Sequence, residues 1–147
     1  MNDPVNILFW SRYNEDIDKT HLDWVNREIS ISPFHILTLQ SHLKYKHNVL
    51  LYSYQKFKKN SIPKGIKVVD ANKIFPSKIA FKSLMSGHSI AHISDAVRLK
   101  VASEKFGIVI DMDAVIIREL PKEDGWFASM PAKRTGGVAP KWGKAHP

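Results

Sequence analysis

The sequence predicts an α/β domain built on a mainly parallel sheet, and three observations carry that expectation. Short runs of apolar and β-branched residues alternate with helical spacings in the order strand, helix, strand, strand, helix, strand. The run Ile108-Val109-Ile110 is apolar at every position rather than at every second one, as a strand covered on both faces should be. An apolar share of 44%, with four Trp, four Tyr and seven Phe in 147 residues, provides a core for one domain spanning 1–147.

Asn6 to Trp10 is the first predicted strand, closed by the polar run Ser11-Arg12-Tyr13-Asn14. Ligands of open α/β sheets sit beyond the carboxyl ends of strands, so Trp10 is expected at the rim of a crevice, although a lone Trp is more often a core residue. Asp16-Ile17-Asp18 spells Asp-x-Asp, but nine Asp in this chain yield roughly half of one such match by chance. No apolar strand precedes it, and Asp18 or Thr20 reads as a helix cap before Leu22, Trp24 and Val25.

Pro33 to Tyr45 has loose helical spacing, with Pro33 suited to the first turn. Asn48 to Tyr54 reads as the second strand and Ile66 to Val69 as the third, with the Lys-rich stretch Gln55 to Gly65 as a solvated loop between them. Asp70 to Pro76 reads as a connector containing a helical turn, and residues 77–88 carry no assigned element. A helix is predicted from Ser89 to about Lys105, with Gly107 as its stop. Beyond it, Val115-Ile116-Ile117 stays apolar and Leu120-Pro121 ends the segment. Trp126 to Met130 reads as a further strand, and Thr135-Gly136-Gly137 as a turn before Val138.

The absence of cysteine excludes disulfides, thiolate zinc sites and cysteine nucleophiles, and fits a cytoplasmic protein. No apolar run approaches a membrane span, and Met-Asn-Asp-Pro does not open a signal peptide. A formal charge of +8 suits polyanionic partners: nucleotide phosphates, nucleic acid or an anionic membrane surface touched peripherally.

The chemistry concentrates between Ser94 and Asp113. On a helix Asp95 and Arg98 project from one face, flanked by the small residues Ala91 and Ala102, which leaves room for a ligand. The strand ends in Asp111 and Asp113, which point the same way because side chains along a strand repeat every two residues. Two carboxylates ~4 Å apart at an effective dielectric of ~20 repel by about 4 kcal/mol, a cost that a bound cation would convert into affinity. Mg²⁺ or Mn²⁺ takes oxygen ligands and keeps positions open for phosphate oxygens, so the pattern points to a metal-diphosphate site.

Ser94-Asp95-x-x-Arg98, the glycine at 107 and Asp111-Met112-Asp113 together resemble the sugar-binding region, with its DXD motif, of GT-A glycosyltransferases, and glycosyltransferase family 32 most nearly. The sixteen-residue step from Asp95 to Asp111, the opening Ile-Leu-Phe-Trp and the terminal Lys144-Ala145-His146-Pro147 also resemble that family's pattern, whereas Phe106 and Val109 stand where it has glycine and tyrosine. The resemblance implies a Rossmann-like nucleotide-sugar-binding domain without the acceptor-side segment that follows in such enzymes. It further implies Asp113 as direct metal ligand, Asp111 on ribose and metal, Asp95 and Arg98 on the donor sugar, and Trp10 with Phe9 against the base. The implied activity is sugar transfer, with retention, from a nucleotide sugar, uridine rather than guanosine, using Mn²⁺ or Mg²⁺. The acceptor would be a glycan or a lipid-linked acceptor in the synthesis of lipopolysaccharide, capsule or another surface polysaccharide.

Other readings of the same residues stand beside this one. Taken alone, Asp95 and Arg98 form a surface helix pair worth roughly 0.2–0.5 kcal/mol. Ile108 to Val115 also resembles the nucleophile strand of haloacid-dehalogenase-type phosphatases, with Asp111 attacking phosphorus and Asp113 as acid/base, but Ala114 replaces the usual glycine and Asp95 and Arg98 go unused. The lysines are scattered without a nucleic-acid reader motif, and His88 with His92 lacks the glutamate of a zinc helix.

Overall fold

The computed structural model describes residues 5–104 and 107–120, and the backbone of 126–129 and 141–144. The turn expected at 135–137, Val138 and the His-Pro end lie outside the described residues. Strands β1 (Val5–Phe9), β2 (Asn48–Ser53), β3 (Ile66–Asp70) and β4 (Ile108–Val109) form one sheet in the order β3-β2-β1-β4, with every pairing parallel. A separate antiparallel pair joins β5 (Trp126–Ser129) to β6 (Lys141–Lys144). The predicted α/β class with a parallel sheet therefore holds, in a Rossmann-like arrangement.

β1 is central because its residues are apolar on both faces. Ile7 pairs with Leu50 on one side and Val109 on the other. Ile7 and Phe9 join a core with Trp24, Ala80, Leu84, Ile93, Val97 and Val101, whereas Leu8 joins Leu39, Leu51, Ile110 and Met112 on the opposite face. Helices α1 (His21–Asn26), α3 (Ser77–Met85) and α4 (Ile90–Glu104) thus cover one face, and α2 (Pro33–Lys44) the other. Among the described residues no helix is long and apolar enough to cross a membrane.

Thr20, not Asp18, caps α1: its hydroxyl accepts from the Asp23 N–H and the Asp23 carboxylate accepts from the Thr20 N–H. Asp18 is instead buried, accepting from the Asn14 N–H at 2.7 Å and from Arg27 Nε and Nη2 at 2.8 and 2.6 Å. The early Asp-x-Asp is structural, as expected. α3 was not expected from the sequence. Its signal is Ala80 and Leu84 four apart with Phe81 beside them, diluted by Lys78, Ser83 and the exposed Ile79, so its inward stripe emerges only once Trp24 is there to receive it.

The stretch expected as a solvated loop is exposed at its lysines, Asn60 and Gly65 but not throughout. Phe57 and Ile62 pack on the α2-side core, and the backbone of Ile29 bonds to Lys56 and Lys58 at 2.9 and 2.8 Å. Gly107 also plays a different part from the one expected. It lacks the left-handed backbone of a helix stop, and a Cβ there would meet Ile7 Cδ1 at 2.5 Å and the Val5 carbonyl oxygen at 2.7 Å. It is glycine so that β4 can lie against β1.

One buried histidine makes the fold sensitive to acid. His42 on α2 is fully buried, and the Asn6 side-chain amide donates to its Nδ1 at 2.8 Å, which leaves the proton of the neutral ring on Nε2. Burial, reinforced by neighbouring His47, pushes His42 from 6.5 down to about 4. The folded pKa lies below the unfolded one, so the unfolded chain binds the extra proton first. Stability is complete above pH 6.5 and declines as pH falls toward 4. The thermal midpoint should fall through this window and fall less in His42→Gln; equal slopes in both proteins would remove His42 as the cause.

Candidate functional site

The order β3-β2-β1-β4 places a topological switch between β1 and β4. From β1 the chain moves outward to β2 and β3, then returns through α3 and α4 to add β4 on the far side of β1. The connections leave in opposite directions, so a crevice opens beyond the carboxyl ends of β1 and β4, where open α/β sheets bind ligands. Trp10 is the first residue past β1 and Asp111 the second past β4, after Ile110, whose N–H donates to the Ile7 carbonyl at 2.9 Å.

α4 delivers Asp95 and Arg98 to this crevice. Ile93, Val97 and Val101 bury its inner stripe against the sheet, and that orientation fixes where Arg98 emerges. Arg98 Nη1 donates to Asp111 Oδ1 and Nη2 to Asp95 Oδ1, so one guanidinium joins the helix carboxylate to the strand-end carboxylate. The helix pair Asp95 and Arg98 is thus in contact with the strand-end Asp111. Ala91 and Ala102 on the same helix are exposed.

Asp113 is placed differently from expectation. β4 ends before Asp111, and Asp111 to Ala114 forms a turn closed by the Ala114 N–H on the Asp111 carbonyl at 3.1 Å. Strand alternation therefore does not set the two carboxylates. Met112 is buried between them, Asp111 turns to α4, and the charge of Asp113 is felt by His35 on α2, on the opposite face. Three of the four expected residues converge, and the fourth stands at the other wall.

That other wall is made by Trp10 and His35, whose ring centroids lie 4.1 Å apart at 47°. The Ser32 hydroxyl caps α2 and lies 2.6 Å from His35 Nδ1, which fixes the imidazole beside Trp10. Burial lowers the pKa of His35, and Asp113 works in the opposite direction. Nothing in the local sequence marks His35; the only signal is the Ser32-Pro33 helix start that places it in the first turn. Trp10 sits at the rim as expected. Phe9 does not: it is 4% exposed and packs edge-on against Tyr54 with centroids 5.8 Å apart, a core residue that a base cannot reach.

The donor set decides how a cation could be held. Among the described residues no group of three or more His, Asp or Glu side chains is placed to hold a metal. Asp111 and Asp113 can supply carboxylate oxygens only, which suits Mg²⁺ or Mn²⁺ arriving with phosphate oxygens and does not suit a resident all-protein site. His88 and His92 make no alternative centre: their exposed rings stand edge to face at 5.6 Å, and His92 Nδ1 accepts from the Ser89 N–H. A cleft along the loop after β1 is lined by Arg12 to Asp16 and Arg27, and it does not include the Arg98 cluster.

The chain matches no known family model and no curated protein.

Proposed function

We propose that this crevice binds a nucleotide-sugar donor with a divalent cation and that the protein is a GT-A-type glycosyltransferase acting on a glycan or lipid-linked acceptor. The observation that carries the reading is the convergence of Asp95 and Arg98 from α4 with Asp111 from β4 at the sheet's switch point. The family resemblance contributes the donor class, with uridine diphosphate sugars ahead of guanosine diphosphate sugars, and Mn²⁺ or Mg²⁺ as the ion.

In this reading the bound ion would supply charge stabilisation to the departing nucleoside diphosphate. Asp111 and Asp113 would hold it, one from each side of Met112. Arg98 would give charge-assisted hydrogen bonds to the donor, with Asp95 fixing the guanidinium and accepting from sugar hydroxyls. Trp10, backed by His35, would form the shelf for the base.

Titration with UDP-glucose, UDP-galactose and GDP-mannose, with and without Mn²⁺, tests this directly. Saturable binding of at least one donor is expected only with the ion present, weakened at least tenfold in Asp113→Ala. Affinity unchanged in that variant, or no binding of any donor, would overturn it. Phosphate release from small phosphomonoesters through an aspartyl-phosphate at Asp111 would point to the phosphatase reading instead.

A further inference from the structure

Arg98 is fully engaged within the protein. Besides Asp111 and Asp95, its Nε donates to the Ser94 carbonyl at 3.4 Å. The guanidinium is the sheltered member of the cluster, its side chain 18% exposed against 61% for Asp95 and 60% for Asp111. Asp111 therefore already has a cation, and Arg98 already has its carboxylates. A ligand that takes Asp111 or Arg98 competes with this pair, in which Asp111 engages through Oδ1 alone and is 60% exposed.

We propose that the Arg98–Asp111 ion pair is a latch that makes a divalent cation and a nucleoside diphosphate bind only together, an inference that rests on the donor-site reading above. A cation arriving alone must share Asp111 with a guanidinium of like charge, which repels it. It also finds no group of three protein ligands among the described residues. A diphosphate arriving alone meets carboxylates at 95 and 111 and one arginine already in use.

The two ligands together remove both obstacles. Asp111 can leave Arg98 for the cation, and the freed Nη1 face of the guanidinium can donate to the diphosphate oxygens in a fork. Asp95 keeps its hold on Nη2 and stops the side chain from swinging into solvent. Asp111 exchanges one cation for another and Arg98 one anion for another, so the cost of opening the latch is met only in the ternary complex. The coupling is reciprocal: whatever factor UDP adds to Mn²⁺ affinity, Mn²⁺ adds to UDP affinity.

Mn²⁺ binding, read by electron paramagnetic resonance and by calorimetry, tests the latch without any activity assay. After correction for the Mn²⁺–UDP complex that forms in solution, wild-type protein should bind Mn²⁺ at least tenfold more tightly with saturating UDP than without. Arg98→Gln should bind Mn²⁺ alone several-fold more tightly than wild type and lose most of the coupling. Asp95→Asn, which leaves Arg98 to Asp111 alone, should bind Mn²⁺ alone no more tightly than wild type; circular dichroism checks that both variants fold. Mn²⁺ and UDP that both bind but do so independently, or an Arg98→Gln variant with unchanged Mn²⁺ affinity, would overturn the latch and leave the donor site standing. If neither ligand binds under any condition, the donor-site reading falls and the latch falls with it.

Discussion

Arg27→Ala should destabilise the protein by about 3 kcal/mol. Asp18 has no exposed side-chain surface, and Arg27 is the cation that meets its carboxylate, with two bonds of 2.8 and 2.6 Å. The interaction is mutual, since the hydrogen bond to Asp18 raises the pKa of Arg27. Removing the arginine leaves a buried carboxylate with only the Asn14 N–H, and burying an uncompensated charge is the costly half of any interior ion pair. Arg27 also donates to the Arg12 carbonyl at 3.3 Å, the same oxygen that accepts from the Trp24 indole at 2.8 Å, so the loop after β1 loosens with it. Urea unfolding measures the loss. The double variant Asp18→Asn with Arg27→Ala should recover part of it, because the stranded charge is gone. A loss under about 1 kcal/mol in the single variant would show that water reaches Asp18 readily.

Gly107→Ala should cost about 2–3 kcal/mol and should also abolish Mn²⁺-dependent donor binding. A Cβ at 2.5 Å from Ile7 Cδ1 could be accommodated by a side-chain shift in a loose core, but Ile7 is 2% exposed and packed. The Val5 carbonyl at 2.7 Å is backbone and can retreat only if β4 moves off β1. β4 is two residues long and held by the Asn6–Ile108 and Ile7–Val109 pairings with the Ile110-to-Ile7 bond, so little resists that movement. Asp111 lies one residue beyond Ile110 and would lose Arg98. Urea unfolding and donor titration on the same preparation separate the two effects. Weakened stability with intact binding would mean that the turn at 111–114, rather than the β1–β4 spacing, positions Asp111.

The burial of His42 and the convergence of Asp95, Arg98 and Asp111 differ in how far sequence could anticipate them. A histidine at position 42 carries no local mark of burial; its low pKa comes from its burial beneath the sheet, where the Asn6 amide meets it. The Asp95, Arg98 and Asp111 cluster was legible because helix spacing fixes the first two and the end of an apolar strand locates the third. Asp113 was misplaced because the strand was expected to run through it. The chain instead turns after Ile110 so that Met112 can fill the α2-side core. Phe9 was misjudged by one step of alternation: next to Trp10 in sequence, it faces the opposite side of the sheet.

The sequence by itself determined what depends on near neighbours: an apolar first strand, a helix start at Pro33, and the shared face of Asp95 and Arg98. These follow from dihedral preference, capping and the helical and strand periods, which act over a few residues. Only the tertiary structure decided that β4 joins β1 on the side away from β2, that Arg98 is the cation Asp111 meets, and that His35 closes on Trp10. Those pairings join residues far apart in the chain. Which of them forms is settled by how the two cores fill on either side of β1, and no local pattern records that filling.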